Sequence, residues 1–446
     1  MNNPLISIVI PVYNGSNYMR EAIDSALAQT YDNFEVIVIN DGSTDNGLTN
    51  EIALSYGKRI RYFSKPNGGV ATALNLGIRE MKGEYFSWLS HDDMYYPQKL
   101  ERQIEYLKQC GDKTRIVIND YDILDSDSNK KTAMHMIDSY STEQIENSVF
   151  TVLQGLLGGC AMLIHKSHFD RVGVFNEKLI TTQDYDLWFR MLRGQKVLYV
   201  PECLTITRVH SLQGSKTLTC HDPERQALHI NFIEALSDEE ICSMYKSKSI
   251  FFYRMCTFFK GGHMPDAYKY ANKLLNNEPI PEDIHDKLAA FHQYLSTLSN
   301  GCATKLCIFC AGEWGLRLYH ELKSKLVYVD FFSDNNPDKY GYITENTYCI
   351  PVNKLTDVKN ETLVIVATRT PDSIVSQLKA LGFPYVATKQ QIDKIMFDVP
   401  PVKWITSMDS LDDVDYTSKE VMALITRFKE TIFDICKYYE NKKAVK

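Results

Sequence analysis

The chain has 446 residues, 44% of them hydrophobic and 24% charged, and carries a net charge of -7. That length predicts two or three domains rather than one core. The acidic balance argues against general nucleic-acid binding, which needs clustered Lys and Arg against phosphates, and no apolar run reaches the roughly 18 residues of a membrane span. Eleven cysteines are scattered along the chain, and Met1 to Pro4 lead directly into a strand-like run with no secretory signal. Reduced thiols and a cytoplasmic location are expected from this, with any membrane contact peripheral.

The first 130 residues alternate short apolar runs with helical patterns. Ser7 to Val12 and Phe34 to Asn40 read as buried strands, Arg61 to Ser64 as a short third, Glu84 to Leu89 as a fourth and Arg115 to Asn119 as a fifth. Between them, Tyr18 to Gln29 and Gly69 to Met81 have helical spacing, and Asp184 to Arg193 predicts a later helix. Such alternation predicts an α/β fold with an open, mostly parallel sheet covered on both faces. Ligands on such sheets bind beyond the carboxyl ends of the strands. Asn14, Asp41 and the pair Asp92-Asp93 each fall just after a strand, and this convergence is the first sign of a site.

The ordered motifs carry a resemblance. Ser7 to Asp45 (SIVIPVYNGSNYMREAIDSALAQTYDNFEVIVINDGSTD) is followed by Asn67-Gly68-Gly69, Ala73 to Gly77, Gly83-Glu84-Tyr85, Trp88 to Asp93 and Gln183 to Trp188. Over about residues 5–215 the chain resembles glycosyltransferase family 2, whose members are inverting enzymes with a GT-A fold. The resemblance implies a nucleotide-sugar donor, a UDP-sugar ahead of a GDP-sugar. It also implies a divalent cation, Mn²⁺ or Mg²⁺, that offsets charge on the departing diphosphate.

It further implies roles for single residues. Asp93 binds the metal, and Asp92 reaches the ribose or the metal shell; a hard cation prefers such carboxylate oxygens and tolerates one imidazole. His210 matches a further metal-ligand position, although a lone His is often structural and both readings stay open. Asp41 hydrogen-bonds the base, while Pro11, Val12, Tyr13 and Asn14 line its pocket largely through backbone. Asp41 lies in Asp-Gly-Ser-Thr-Asp, so a turn or helix-capping role is open beside the first. Asn67 falls in the donor region, Arg208 faces phosphate, and Lys65 is a weaker candidate for the same contact. Asp184 is the general base that takes the acceptor's hydroxyl proton. Its alternative is a first-turn acid favoured by the helix dipole, like Asp186. Trp188 is expected in the core.

Three departures stand out. The family usually has Glu-Asp where this chain has Gln183-Asp184, and Ala-Arg-Asn where it has Ala73-Leu74-Asn75. Ser90 also replaces the first acid of a longer Asp-x-Asp-Asp form.

The rest divides into a helical middle segment (221–300), a smaller Rossmann-like α/β domain (301–385) and a helical C-terminal segment (386–446) with a basic end, after a first domain of 1–220. Phe309 to Gly315 resembles G-x-G-x-x-G with Cys310 in place of the first Gly, and Asp334 falls where a ribose-binding acid would sit. The departure weakens nucleotide binding as a reading against packing or homo-oligomer formation. Cys307-Ile308-Phe309-Cys310 reads as a strand with side chains three apart on opposite faces, not a metal pair. Ile250 to Lys260 (IFFYRMCTFFK) reads as bundle core ahead of a membrane-surface helix.

The function expected is metal-dependent, inverting sugar transfer to a glycan, lipid-linked or protein acceptor, in a bacterial surface polysaccharide or glycoprotein setting. A non-catalytic nucleotide- or sugar-binding scaffold is the alternative. A nucleotidyltransferase is disfavoured, because Pro11 to Asn14 stand where its Gly-rich loop with Arg would be.

Overall fold

The computed structural model describes residues 3–397 and 399, except 127, 279–283, 326 and 345–346. Two compact units divide the chain between Ala235 and Leu236.

The first unit opens with β1 (Ile6–Val12), α1 (Met19–Leu27), β2 (Phe34–Asn40), α2 (Leu48–Ser55), β3 (Arg61–Ser64), α3 (Val70–Glu80), β4 (Tyr85–Trp88), β5 (Met94–Tyr95) and α4 (Lys99–Cys110). It continues with β6 (Val117–Asp125), β7 (Lys130–Met134), α5 (Thr142–Ile145), α6 (Phe150–Leu153), β8 (Met162–His165) and α7 (Ser167–Val172). It ends with α8 (Gln183–Leu192), β9 (Leu198–Val209), α9 (Gly214–Thr217) and α10 (His221–Ala235). The nine-stranded sheet has the order β3-β2-β1-β4-β8-β6-β9-β5, with β7 on β6. β3, β2, β1 and β4 are parallel, as is β6 with β9, while β8, β7 and β5 pair antiparallel. The mostly parallel α/β architecture therefore matches the sequence reading.

Burial explains the strand text. All seven residues of β1 are buried, because helices cover both faces of a parallel sheet and leave no polar side. α3 comes close to β1 at Gly77, where an added methyl would drive into Val9. Behind β4, Lys99 is fully buried and donates to Ser87 Oγ at 3.0 Å and Gln103 Oε1 at 3.1 Å, and burial pulls its ammonium down to about 7. Tyr95 Oη donates to the Trp88 carbonyl at 2.5 Å, so the end of β4 is held from beneath.

The unit runs past the expected boundary at 220. The text from 222 reads as helix, but its partner is decided by packing: Phe232 of α10 stacks on Phe189 of α8 at 4.2 Å, and Leu228 and Ile233 are buried beside it.

The second unit starts with α11 (Asp238–Tyr245), α12 (Lys248–Gly261), α13 (Pro265–Leu275) and α14 (Ile284–Thr297). The α/β part follows with β10 (Lys305–Phe309), α15 (Glu313–Ser324), β11 (Phe331–Asp334), β12 (Gly341–Thr344) and β13 (Thr347–Pro351). α16 (Val352–Leu355), β14 (Thr362–Val366), α17 (Asp372–Ala380), β15 (Val386–Thr388) and α18 (Lys389–Met396) complete it. The sheet order is β12-β13-β11-β10-β14-β15, parallel except for β12 on β13. Helical segment and α/β part thus form one compact unit instead of the two expected. In α12 Phe251, Met255 and Phe259 are fully buried, as a bundle core requires. Most of the expected helical segment 386–446, including its basic end, lies outside the described residues. No helix among the described residues is long and apolar enough to cross a membrane.

Cys310 departs from its expected place. It lies beyond β10 with φ of 80°, the left-handed region that glycine favours, and packs against the same apolar cluster as Cys307. A methyl on Gly315 would run into the Cys310 carbonyl, so the turn keeps the close approach of a glycine fingerprint without its first glycine. The Ala311 N–H donates to Asp334 Oδ2 at 2.7 Å, so this acid ties the turn to the end of β11.

The α3–β1 contact is testable. Gly77→Ala should destabilise the protein by roughly 1–3 kcal/mol through overpacking, despite the helix-propensity gain of about 1 kcal/mol. Urea unfolding at unchanged m-value measures this; a rise in stability would mean that α3 does not press on β1.

Candidate active site

The carboxyl ends of β1, β2 and β4 converge as the strand reading anticipates. At the end of β1, Asn14 adopts a left-handed φ of 50° and closes an interlock with the β2 turn. Its N–H donates to Ser43 Oγ at 2.9 Å, and its Oδ1 accepts from the Thr44 N–H at 2.7 Å. The Val12 carbonyl accepts from the Asp41 N–H at 2.8 Å. Pro11 and Val12 are buried, whereas Tyr13 is 45% exposed at the rim.

Asp41 is buried, and the Asn67-Gly68-Gly69 turn folds onto its carboxylate. Oδ1 accepts from the Gly68 N–H at 3.0 Å and from Lys65 Nζ, and Oδ2 accepts from the Gly69 N–H at 2.7 Å. Lys65 also donates to the Pro66 carbonyl and to Thr72 Oγ1, each at 2.7 Å, so its three protons hold the turn rather than reach toward phosphate. Asn67 is exposed at the tip of this turn.

The acids after β4 are organised by strand pairing. β5 follows Asp93 directly and pairs with β9 in the register Met94↔Ile206, Tyr95↔Thr205. That register brings the Arg208 N–H to Asp93 Oδ1 at 2.8 Å. The Arg208 guanidinium donates to the Asp92 carbonyl at 2.9 Å and to Glu21 Oε2 at 2.6 Å, and lies 4.2 Å from the Tyr18 ring centre. Arg208 thus ties α1 to the acidic turn through Nε and Nη2. His210 Nε2 lies 3.1 Å from Asp92 Oδ2, and its ring lies 5.3 Å from Tyr18. The structure thus sets His210 against Asp92, while Asp93 faces Arg208 and the Cys160 thiol. Burial, and then the neighbouring Asp92 charge, push the Asp93 carboxyl up to about 8.

Two carboxylates and an imidazole are donors of the right kind for a hard divalent ion. Among the described residues, however, no group of three or more His, Cys, Asp or Glu side chains is placed to grip one. Asp92, Asp93 and His210 are the residues at this turn that could help to hold such an ion.

Asp184 stands in the first turn of α8 and lies across the 157–161 loop from Asp93. Cys160 of that loop touches Asp93 and accepts from the Ser90 N–H at 3.1 Å. At Gly159, an added methyl would lie 3.0 Å from the Trp88 indole and 3.6 Å from Asp184 Oδ2. Beneath the loop, Phe175 packs against both Trp88, at 6.2 Å, and the fully buried Trp188, at 5.8 Å, which ties β4 to α8. Burial pushes the Asp184 carboxyl up to about 6, with Glu224 adding to the rise. Asp186 is spent on Arg190 at 2.7 Å and is structural. Gln183 Oε1 on α8 and Trp88 Nε1 on β4 are buried without a hydrogen-bond partner. Asn75 is buried and its amide exchanges 3.0 Å bonds with the Phe175 backbone, which gives the Asn of the Ala-Leu-Asn motif a structural task.

Sequence reasoning missed Tyr18, Glu21, Gly159, Cys160 and Glu224 as parts of the site. The small residues Gly155, Gly158 and Gly159 were the one visible signal, since a glycine cluster marks close approach.

Comparison with known proteins bears on the family of the chain. The sequence profile described as Glycosyl transferase family 2 matches residues 7–172. A Rickettsia felis protein named as an uncharacterized glycosyltransferase is 47% identical over 273 residues, 61% of this chain and 45% of its own length. A Rickettsia typhi protein of the same description is 47% identical over 278 residues, 62% of this chain and 87% of its own. Chondroitin synthase of Pasteurella multocida is 35% identical over 200 residues, 42% of this chain and 19% of its own. The match thus spans less than half of the Rickettsia felis protein but most of the Rickettsia typhi one, and the chain belongs to glycosyltransferase family 2.

Proposed function

We propose that the first unit transfers a sugar, with inversion, from a nucleoside-diphosphate donor to a hydroxyl of an acceptor, with a divalent ion at the Asp92-Asp93 turn. The observation that carries this reading is the placement of two kinds of carboxyl on either side of one loop. The acidic turn after β4 touches Cys160, and Asp184 faces Gly159.

Each side has a separate task. Asp41 uses three of its roughly four acceptor sites within the protein, which leaves one on Oδ2 for a ring N–H of the base. Uracil and guanine both offer such a group, and UDP is the favoured donor nucleotide. Asp93 and His210 would hold the ion beside Asp92. The ion supplies positive charge to the leaving diphosphate when bound. Asp184, with its pKa near 6, is ionised at neutral pH yet basic enough to take the acceptor's proton. The orphaned Trp88 N–H on β4 and the Gln183 carbonyl beside Asp184 on α8 support a polar ligand there. The relative named as a chondroitin synthase supports a glycan acceptor; lipid-linked and protein acceptors are the other members of the class.

Calorimetric titration of UDP and then GDP, with and without Mn²⁺, tests the donor side. UDP binding should depend on Mn²⁺ and be lost in Asp93→Ala; equal binding by a folded Asp93→Ala protein would remove Asp93 from the donor site. Asp184→Asn should keep donor binding and lower kcat by roughly 100- to 10,000-fold. Transfer at the parental rate would refute the base assignment. The base must be ionised, so kcat/KM should fall as pH drops below about 6. A profile flat to pH 5 would count against Asp184.

A further inference from the structure

The segment that leads into α8 has no cap of its own, since Thr182 at the N-cap makes no side-chain capping bond. Its open donors are collected instead by one carboxylate from a different helix. Glu224, in the first turn of α10, accepts the Ile180 N–H at Oε2, and the Thr181 and Thr182 N–H groups at Oε1, all at 2.8 Å. The hydroxyls of Thr181 and Thr182 add two bonds to Oε1 at 2.9 Å. His221, one turn earlier, meets Thr181 Oγ1 at 2.9 Å through Nδ1. Burial alone would raise the Glu224 pKa, but these N–H and hydroxyl donors outweigh it and hold the group below the usual carboxylate range. An anion at a helix N-terminus is favourable, and Glu224 serves two: its own and that of α8.

We propose that Glu224 is a positioning residue for sugar transfer, which fixes segment 180–182 and thereby the place of the Asp184 carboxylate two residues on. The proposal rests on the reading of Asp184 as base. Asp184 stands in the first turn of α8, so any shift of residues 180–182 moves its oxygens against the Trp88 indole and Gly159. A displacement of about 1 Å at a reacting group costs on the order of 100-fold in rate. Glu224 also bears on the chemistry directly. The charge acting on Asp184 from another element is that of Glu224; β4 and the 157–161 loop bring the uncharged Trp88 and Gly159, and its own helix brings Tyr185 and the paired Asp186.

Glu224→Ala and Glu224→Gln in the full chain test the proposal, with folding checked by thermal unfolding and donor binding by calorimetry. Glu224→Ala should bind nucleotide as the parent does and lose about 100-fold in kcat. In an Asp184→Asn background it should cause no further loss, because it acts through Asp184. Glu224→Gln keeps an oxygen for the Oε1 contacts but loses the Ile180 bond and the charge. Its kcat should fall between the other two, and the acid limb of kcat/KM should move to lower pH, because the charge that raises Asp184 is gone. A folded Glu224→Ala with parental kcat, or full additivity with Asp184→Asn, would overturn the proposal. If Glu224→Ala does not fold, Glu224→Gln decides: parental kcat with an unmoved acid limb overturns it. Failure of the base reading is separate, since it shows as parental transfer by Asp184→Asn alone.

Discussion

Two adjacent carboxylates at the buried end of a strand repel each other and forfeit hydration, and the site is built around that constraint. Asp93 carries the larger burden, because it is the more buried of the pair. β9 answers it: the β5–β9 register delivers a backbone N–H to Asp93, a guanidinium to the Asp92 carbonyl and an imidazole to the Asp92 side chain. Residues more than a hundred positions apart are thus joined by strand pairing, and α1 is fastened to them through Glu21 and Tyr18. These donors offset part of the repulsion between the two acids and part of their lost hydration.

The sequence disclosed those features that are local. Buried parallel strands are continuous apolar runs, so β1, β2 and β4 were legible, and with them the polar residues at their ends. The first-turn acids of α8 were legible for the same reason. What escaped depends on contacts between distant segments. Arg208 reads as a free cation near phosphate, yet its guanidinium is engaged by Glu21 and the Asp92 carbonyl. Lys65 reads likewise and is tied to Asp41 and Thr72. Glu224 offers no motif, since its partners lie some forty residues earlier in an irregular segment. Likewise α10 is plainly helical in sequence, but packing assigns it to the first unit, through the stacking of Phe232 on Phe189 and the Glu224 bonds to segment 180–182.

The same distinction applies to the second unit. Its strand and helix text predicted a Rossmann-like α/β layer, and the missing first glycine suggested a poor phosphate turn; the structure adds β12, β13 and β15 to the sheet. The chain nonetheless adopts the turn, with Cys310 in a glycine-like conformation. The strain is tolerated because neighbours over-determine it: Gly315 leaves room for the Cys310 carbonyl, and Asp334 holds the Ala311 N–H. An N–H that would otherwise face a ligand is internally satisfied there.

The neutral amide at Gln183 has a consequence for proton bookkeeping. Two neighbouring carboxyls in one site share their protons, and their titration then belongs to the pair rather than to either member. Here Gln183 removes that partner, and Glu224, held low by its donors, stays ionised while Asp184 titrates. Asp184 is therefore expected to gain and lose its proton as a single site, with the titration slope of one group.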